Sequence, residues 1–107
     1  ILKHFLKTNI VSNPNTAPEA DFSVSPNSGD IATKFIFDAS ISNHLEDDIS
    51  QLEVRWDWEN DDVFDTEFST EKVATKQFSE PGIYLVKVEI RDSGGLLDTK
   101  IRAVVVE

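Results

Sequence analysis

The stretch Val54-Arg55-Trp56-Asp57-Trp58 decides how this chain is read. Apolar and charged residues alternate through it, which is the period of a β-strand with one buried face. Val54, Trp56 and Trp58 are expected to point one way, and Arg55 and Asp57 the other. Both tryptophans of the chain lie on that apolar face. Each can bury roughly 200 Å², so this strand is the expected anchor of a small core. The most acidic run of the sequence, Asp57 to Glu67, follows at once and is the local candidate for a ligand site.

On either side the chain divides into short strands separated by turns. Phe22 and Val24 alternate with polar residues, and Ser25-Pro26-Asn27-Ser28-Gly29-Asp30 is a turn cluster. Lys34 to Asp38 reads as a strand with Phe35 and Phe37 on one face, followed by a polar loop from Ser40 to Ser50. The tryptophan strand spans Gln51 to Trp58. A weaker segment, Glu67 to Thr70, leads to a strand from Lys72 to Phe78 with Phe78 as its apolar anchor. Pro81-Gly82 is a turn, with Pro81 fixing φ and Gly82 relieving its sterics. Ile83 to Arg91 is the cleanest strand: Tyr84, Val86, Val88 and Ile90 share one face, and Lys87, Glu89 and Arg91 the other. Ser93-Gly94-Gly95 is a tight hairpin, since glycine accepts the positive φ such a turn demands. The last strand runs from Leu97 to Val106. Strands at this spacing with no convincing helix predict an all-β fold, an antiparallel β-sandwich of about seven strands.

Residues 1–17 differ. Two prolines and two asparagines fall between Ser12 and Pro18, a linker-like composition. They read as a linker or the tail of a preceding element, with an edge strand over Thr8 to Val11 as the alternative. The domain proper is expected over residues 18–107.

Composition narrows the function classes. A chain of 107 residues makes one domain, large enough to fold without staples. The chain has no cysteine, which excludes disulfides, thiolate metal sites and cysteine nucleophiles. The formal net charge of −10 repels phosphate backbones and anionic bilayers, so neither nucleic acid nor membrane insertion is expected. The chain starts at Ile1 and has no Met, the expectation for a piece of a larger protein.

At this point the residues resemble a known family. Trp56-Asp57-Trp58-Glu59-Asn60-Asp61 resembles the Trp-Asp-Phe-Gly-Asp-Gly signature of PKD domains. Phe37-Asp38-Ala39-Ser40, Pro81-Gly82-Ile83-Tyr84-Leu85-Val86 and Arg91-Asp92-Ser93-Gly94-Gly95 are similar to further family motifs, in the family's order. The resemblance covers about residues 18–107. It implies an immunoglobulin-like sandwich whose signature residues Phe37, Trp56, Trp58, Pro81, Gly82, Tyr84 and Gly94 are structural. It also implies a noncatalytic module of a secreted or surface-anchored protein, bacterial or archaeal, working as a spacer and contact domain. Its expected partners are neighbouring domains of the same chain, proteins or polysaccharides, and the isolated domain is expected to be monomeric. The family's turn glycines are replaced by Glu59-Asn60-Asp61-Asp62, so its tight turn geometry does not carry over.

The acidic run offers Asp57, Glu59, Asn60, Asp61 and Asp65 as hard oxygen donors, and Ca²⁺ takes about six to eight of them. The spacing partly imitates a calcium loop, but Asp62 stands where the sharp-turn glycine belongs and no bidentate Glu closes the loop. The outward direction of Asp57 also works against convergence with Asp61. A calcium-stiffened module is therefore the first alternative, a carbohydrate-binding accessory domain the second. A second acidic cluster, Glu46-Asp47-Asp48, lies at the other end of the tryptophan strand, where it is able to meet Asn43 and Asp92. His4 and His44 lack partners at metal-ligand spacing and are expected to be exposed. Phe64 and Phe68 are expected either to cap the core or to form a contact patch. No catalytic motif is present, and the carboxylates lie in polar loops rather than in an apolar cleft, so no enzyme activity is expected.

Overall fold

The computed structural model describes residues 15–107. The expected linker up to Pro14, the edge strand Thr8 to Val11 and His4 lie outside the described residues. Among the described residues seven strands form two sheets: β1 (Ser23–Ser25), β2 (Ser28–Gly29), β3 (Phe35–Asp38), β4 (Glu53–Asp57), β5 (Val73–Lys76), β6 (Gly82–Arg91) and β7 (Leu97–Val106). One sheet has the order β1-β3-β5 and the other β2-β7-β6-β4. Pairing is antiparallel except between β2 and β7, which run parallel. The expected strand count holds, with one exchange. Ser28–Gly29, read as turn, is a short strand on β7, whereas Glu67 to Thr70 contributes only a bridge between Ser69 and Val54.

The core forms where the alternation placed it. Phe35 and Phe37 of β3, Val54 and Trp56 of β4, and Val86, Val88 and Ile90 of β6 are buried between the sheets. Trp56 and Trp58 stack with centroids 5.5 Å apart, and Phe22 meets Trp56 edge-on at 5.3 Å. Aromatic pairs at such distances add roughly 0.5–1.5 kcal/mol each beyond the area they bury. Phe78 stacks on Tyr84 at 4.1 Å. The Tyr84 hydroxyl donates to the Glu80 carbonyl at 2.7 Å, which fastens the corner where the chain passes from β5 to β6. Pro81 precedes that strand, and Gly82 opens it opposite Val106.

Two local motifs gain a physical reason. Asp38 Oδ1 accepts the Ser40 N–H at 2.9 Å, an Asx turn that ends β3. In the β6–β7 hairpin Gly95 takes the positive φ, +91°. Gly94 serves by its size instead: a side chain there would run into the Asn15 amide.

Candidate functional site

β4 delivers Asp57 to one end of the sandwich, and the acidic turn closes over it. Asp57 faces away from the core, as alternation predicts, yet its exposure is 0%. Its Oδ1 accepts the N–H groups of Glu59 and Asp61, each at 3.3 Å, and its Oδ2 that of Asp62 at 2.9 Å. Asn60 and Asp62 hold φ of +54° and +66°, the left-handed region that Asn and Asp tolerate best after Gly. They do the conformational work of glycines, and the turn doubles back on itself. Burial would push the Asp57 carboxyl up, but the converging N–H groups of Asp61, Asp62 and Glu59 hold it below the ordinary carboxylate value.

Folding the turn back also brings carboxylates together. One oxygen from each of Asp57, Glu59 and Asp61 lies within 4.8 Å of the others. The outward direction of Asp57 thus does not prevent convergence. Asp65 does not join this trio, and its Oδ2 accepts the Trp58 N–H at 2.8 Å; Asn60 holds one of the turn's left-handed positions. Glu59 is held above its ordinary value, first by its hydrogen bond with Asp65 and then by burial and the neighbouring negative charges. One cation already serves the turn: Lys87 Nζ is 2.8 Å from Asp62 Oδ1 and 3.9 Å from Asp57 Oδ2.

Beyond the turn the chain runs back along the open side of β4. Asp65 donates its N–H to the Trp56 carbonyl at 2.8 Å, and Val54 and Ser69 exchange hydrogen bonds of 2.8 and 2.9 Å. The edge of the sheet is covered in this way, which blocks uncontrolled strand pairing. Phe64 and Phe68 do not cap the core. They lie on the outer face of the four-stranded sheet, stacked with cations. The Arg55 guanidinium sits 3.9 Å from the Phe64 centroid and 4.5 Å from that of Phe68, and Arg91 sits 3.8 Å from Phe68. Arg55 and Arg91 are in turn paired with Glu89 and Glu53 at 2.6 and 2.8 Å.

The opposite end of β4 holds a node that the sequence did not reveal. His44 was expected to be exposed, and its side chain is 0% exposed. Its Nε2 lies 2.7 Å from the Thr16 carbonyl and 3.0 Å from Asp92 Oδ2, while Nδ1 accepts the N–H groups of Asp47 at 2.7 Å and Glu46 at 3.1 Å. Burial favours the neutral ring, but the Thr16 carbonyl and the carboxylates of Asp92, Asp47 and Glu46 outweigh it and hold the ring above its ordinary value. In the neutral form the two N–H groups aimed at Nδ1 place the proton on Nε2. Asp92 also accepts the Asn15 amide at 2.9 Å, and Asp47 binds the Ser93 N–H and hydroxyl at 2.8 and 3.0 Å. Asp47 and Asp92 do gather at one end, with His44 between them; Asn43 instead bridges Glu19. The available signal was His44 in a loop opposite an Asp-Ser-Gly-Gly hairpin, too common a combination to single out.

A two-sheet sandwich with its acidic turn and histidine node built from loop-to-backbone hydrogen bonds defines the class: an immunoglobulin-like β-module. The chain belongs to the PKD domain family, whose pattern matches residues 15–106. Among solved structures, one from work on the promiscuous specificity of carbohydrate-binding modules of the β-sandwich superfamily is 30% identical, with a TM-score of 0.72 over 88% of this chain. This chain spans 36% of that one. The PKD1 domain of Vibrio anguillarum Epp is 22% identical at a TM-score of 0.65, covering 88% of this chain and 98% of that domain. The PKD1 domain of the Vibrio cholerae metalloprotease PrtV is 22% identical at a TM-score of 0.64, covering 86% and 99%. No curated protein matches this sequence. No helix among the described residues is long and apolar enough to cross a membrane.

Proposed function

We propose that this domain is a noncatalytic extracellular module, a spacer and protein-contact unit within a larger secreted or surface protein. The observation that carries this reading is how the ionisable side chains are employed. Asp57, Asp92 and His44 are each tied to backbone or side-chain partners that hold turns and chain ends in place. Among the described residues no buried side-chain nitrogen or oxygen lacks a hydrogen-bond partner. A general acid or base needs a group held ready for a substrate proton, and these groups are engaged in the fold.

The likeness to a carbohydrate-binding-module structure raises sugar binding as a variant of this reading. Sugar platforms present the flat face of an exposed ring. Here the tryptophans are buried, Tyr84 packs on Phe78, and Phe64 and Phe68 have guanidinium groups on their faces. Protein contact is therefore the favoured role. Affinity electrophoresis of the full chain through gels containing xylan, β-glucan or soluble chitin derivatives tests this choice. Unretarded migration is the expected result, and retardation relieved by free oligosaccharide would assign the carbohydrate role instead.

A second reading, a calcium-stiffened turn, has one observation behind it, the convergence of Asp57, Glu59 and Asp61. Set against it, Asp57 already receives three N–H groups and Lys87 supplies positive charge. That leaves fewer free donors than the roughly six a calcium ion takes.

A further inference from the structure

Among the described residues, three of the four strands that end a sheet offer little to an incoming chain. β4 is covered by the returning segment, and β2 is two residues long. Beside β1, the Phe22 N–H meets Asp21 Oδ1 at 2.9 Å, the Phe22 carbonyl accepts Arg102 Nε at 2.6 Å, and Pro26 has no N–H to give. β5 is different. The Ala39 N–H donates to the Lys72 carbonyl at 2.9 Å, which turns the backbone of Lys72, Ala74 and Lys76 towards β3. The backbone groups of Val73 and Thr75 therefore point away from the sheet. The Val73 N–H bears this out, since it meets its own neighbour, the Glu71 carboxylate, at 3.2 Å. Among the described residues, the Val73 carbonyl and the Thr75 N–H and carbonyl meet no partner.

Beside this edge lies a cleft of about 180 Å³ between β5 and the returning segment. Val54, Trp56 and Ala74 make its apolar floor, and the exposed Glu67 and Glu71 stand on its rim. Neither carboxylate forms an ion pair among the described residues. A row of unpaired backbone groups is matched by another backbone in extended form. A strand laid along β5 turns every second side chain inward, beside Ala74 and over the cleft. An apolar floor under a carboxylate rim suits a side chain with an aliphatic stem and a cationic head, which is Lys or Arg. The net charge of −10 draws a cationic segment in and repels an acidic one.

We propose that the β5 edge is the module's docking site, and that it takes an extended segment of a partner protein with Lys or Arg at alternate positions, added as a further strand to the β1-β3-β5 sheet. The proposal rests on the protein-contact reading and names the surface and the class of partner within it. Main-chain hydrogen bonds to Val73 and Thr75 hold the segment whatever its sequence, while the cleft and its two carboxylates select the cationic side chain. Glu71, which occupies the Val73 N–H in the free module, turns to the incoming cation and leaves that donor to the partner's carbonyl.

Amide-resolved NMR of the full chain, titrated with a capped peptide of alternating threonine and lysine about seven residues long, tests it. Saturable shifts are expected at Val73, Ala74, Thr75 and the Trp56 indole, and none with a peptide carrying glutamate for lysine. Thr75→Pro removes the outward donor at a place where an edge strand tolerates proline, and is expected to weaken binding at least about tenfold. Glu67→Lys together with Glu71→Lys is expected to weaken it at least about tenfold through like-charge repulsion. That pair leaves the β5 sequence untouched, so it reads the site even where Thr75→Pro does not fold. Shifts confined to the acidic turn or the Glu46–Asp48 loop would overturn the proposal, as would equal shifts at β5 with the glutamate peptide or binding that survives both variants. So would the absence of shifts at about millimolar peptide. Those results leave the protein-contact reading standing, which falls instead if polysaccharide gels retard the chain.

Discussion

Asp57 Oδ2 accepts the backbone N–H of Asp62 at 2.9 Å while the Asp57 side chain is wholly buried. One carboxylate at the end of the tryptophan strand therefore organises the turn that follows it. Replacing Asp57 by Ala leaves three N–H groups without their charged acceptor. Hydrogen bonds to a charged group contribute about 1.5–3 kcal/mol, and the turn will partly rehydrate. The expected loss is about 2–3 kcal/mol, read as a lower urea midpoint with an unchanged m-value.

The pH dependence follows from the same groups. Asp57 and Asp92 are both held below the ordinary carboxylate value near 3.8, burial notwithstanding, by the N–H groups and side chains aimed at them. Their stabilisation is fully present above the unfolded value and is lost as pH falls through the lower folded value. These two carboxylates are expected to add no slope to the thermal midpoint from about pH 7 to 5 and to make it drop steeply below about pH 4. The drop should be shallower in Asp57→Asn.

Glu59 has the opposite sign. Its hydrogen bond with Asp65 and the surrounding charge favour its protonated form. What stability it contributes is present below its ordinary value near 4.5 and is lost as pH rises through the folded one. Glu59→Gln is therefore expected to melt higher than the parent at pH 7 and level with it near pH 4. Equal midpoints at both pH values would contradict this assignment.

The histidine node makes a statement about where the folded unit begins. Asn15 donates to Asp92, and Thr16 binds both Glu46 and His44. A chain beginning at Asn15 is expected to melt several degrees above one beginning at Pro18, since about 1–2 kcal/mol shifts a domain of this size by that much. In the shorter chain His44→Gln should cost less than in the longer one, because one of the ring's partners, the Thr16 carbonyl, is already gone.

The stack of Phe64, Arg55, Phe68 and Arg91 holds the returning segment to the sheet. Cation–π contacts contribute about 0.5–2 kcal/mol depending on how dry they are. Phe68→Ala is expected to destabilise by about 1–2 kcal/mol. A double-mutant cycle with Arg55→Ala should return a coupling of about 1 kcal/mol; zero coupling would mean that the rings contribute area alone.

The core was legible because alternation has a simple physical cause. Phe35, Phe37, Trp56, Val86, Val88 and Ile90 sit on the buried faces that their period of two implies. The site was legible only in part. Asp57, Glu59 and Asp61 converge, but nothing in the spacing said that backbone N–H groups would claim Asp57, because that depends on Asn60 and Asp62 adopting positive φ. His44 was misjudged because its burial comes from residues 28 and 48 positions away, Thr16 and Asp92. For Phe64 and Phe68 the choice between core cap and contact patch stayed open in the sequence, because their partners, Arg55 and Arg91, lie on other segments of the chain. Tertiary partners that are distant in sequence leave no periodic trace.

The central claim is that the acidic turn is closed by the protein's own backbone and that the module is complete without a ligand. Thermal melts of the full chain in EDTA, then in millimolar calcium and in millimolar magnesium, test it most directly. The account predicts a cooperative transition in EDTA and small, equal shifts with either ion. An ion bound at about 100 times its Kd would add about 2.7 kcal/mol. A rise of several degrees with calcium alone, abolished by Glu59→Gln together with Asp61→Asn, would contradict the account and make the turn a calcium site.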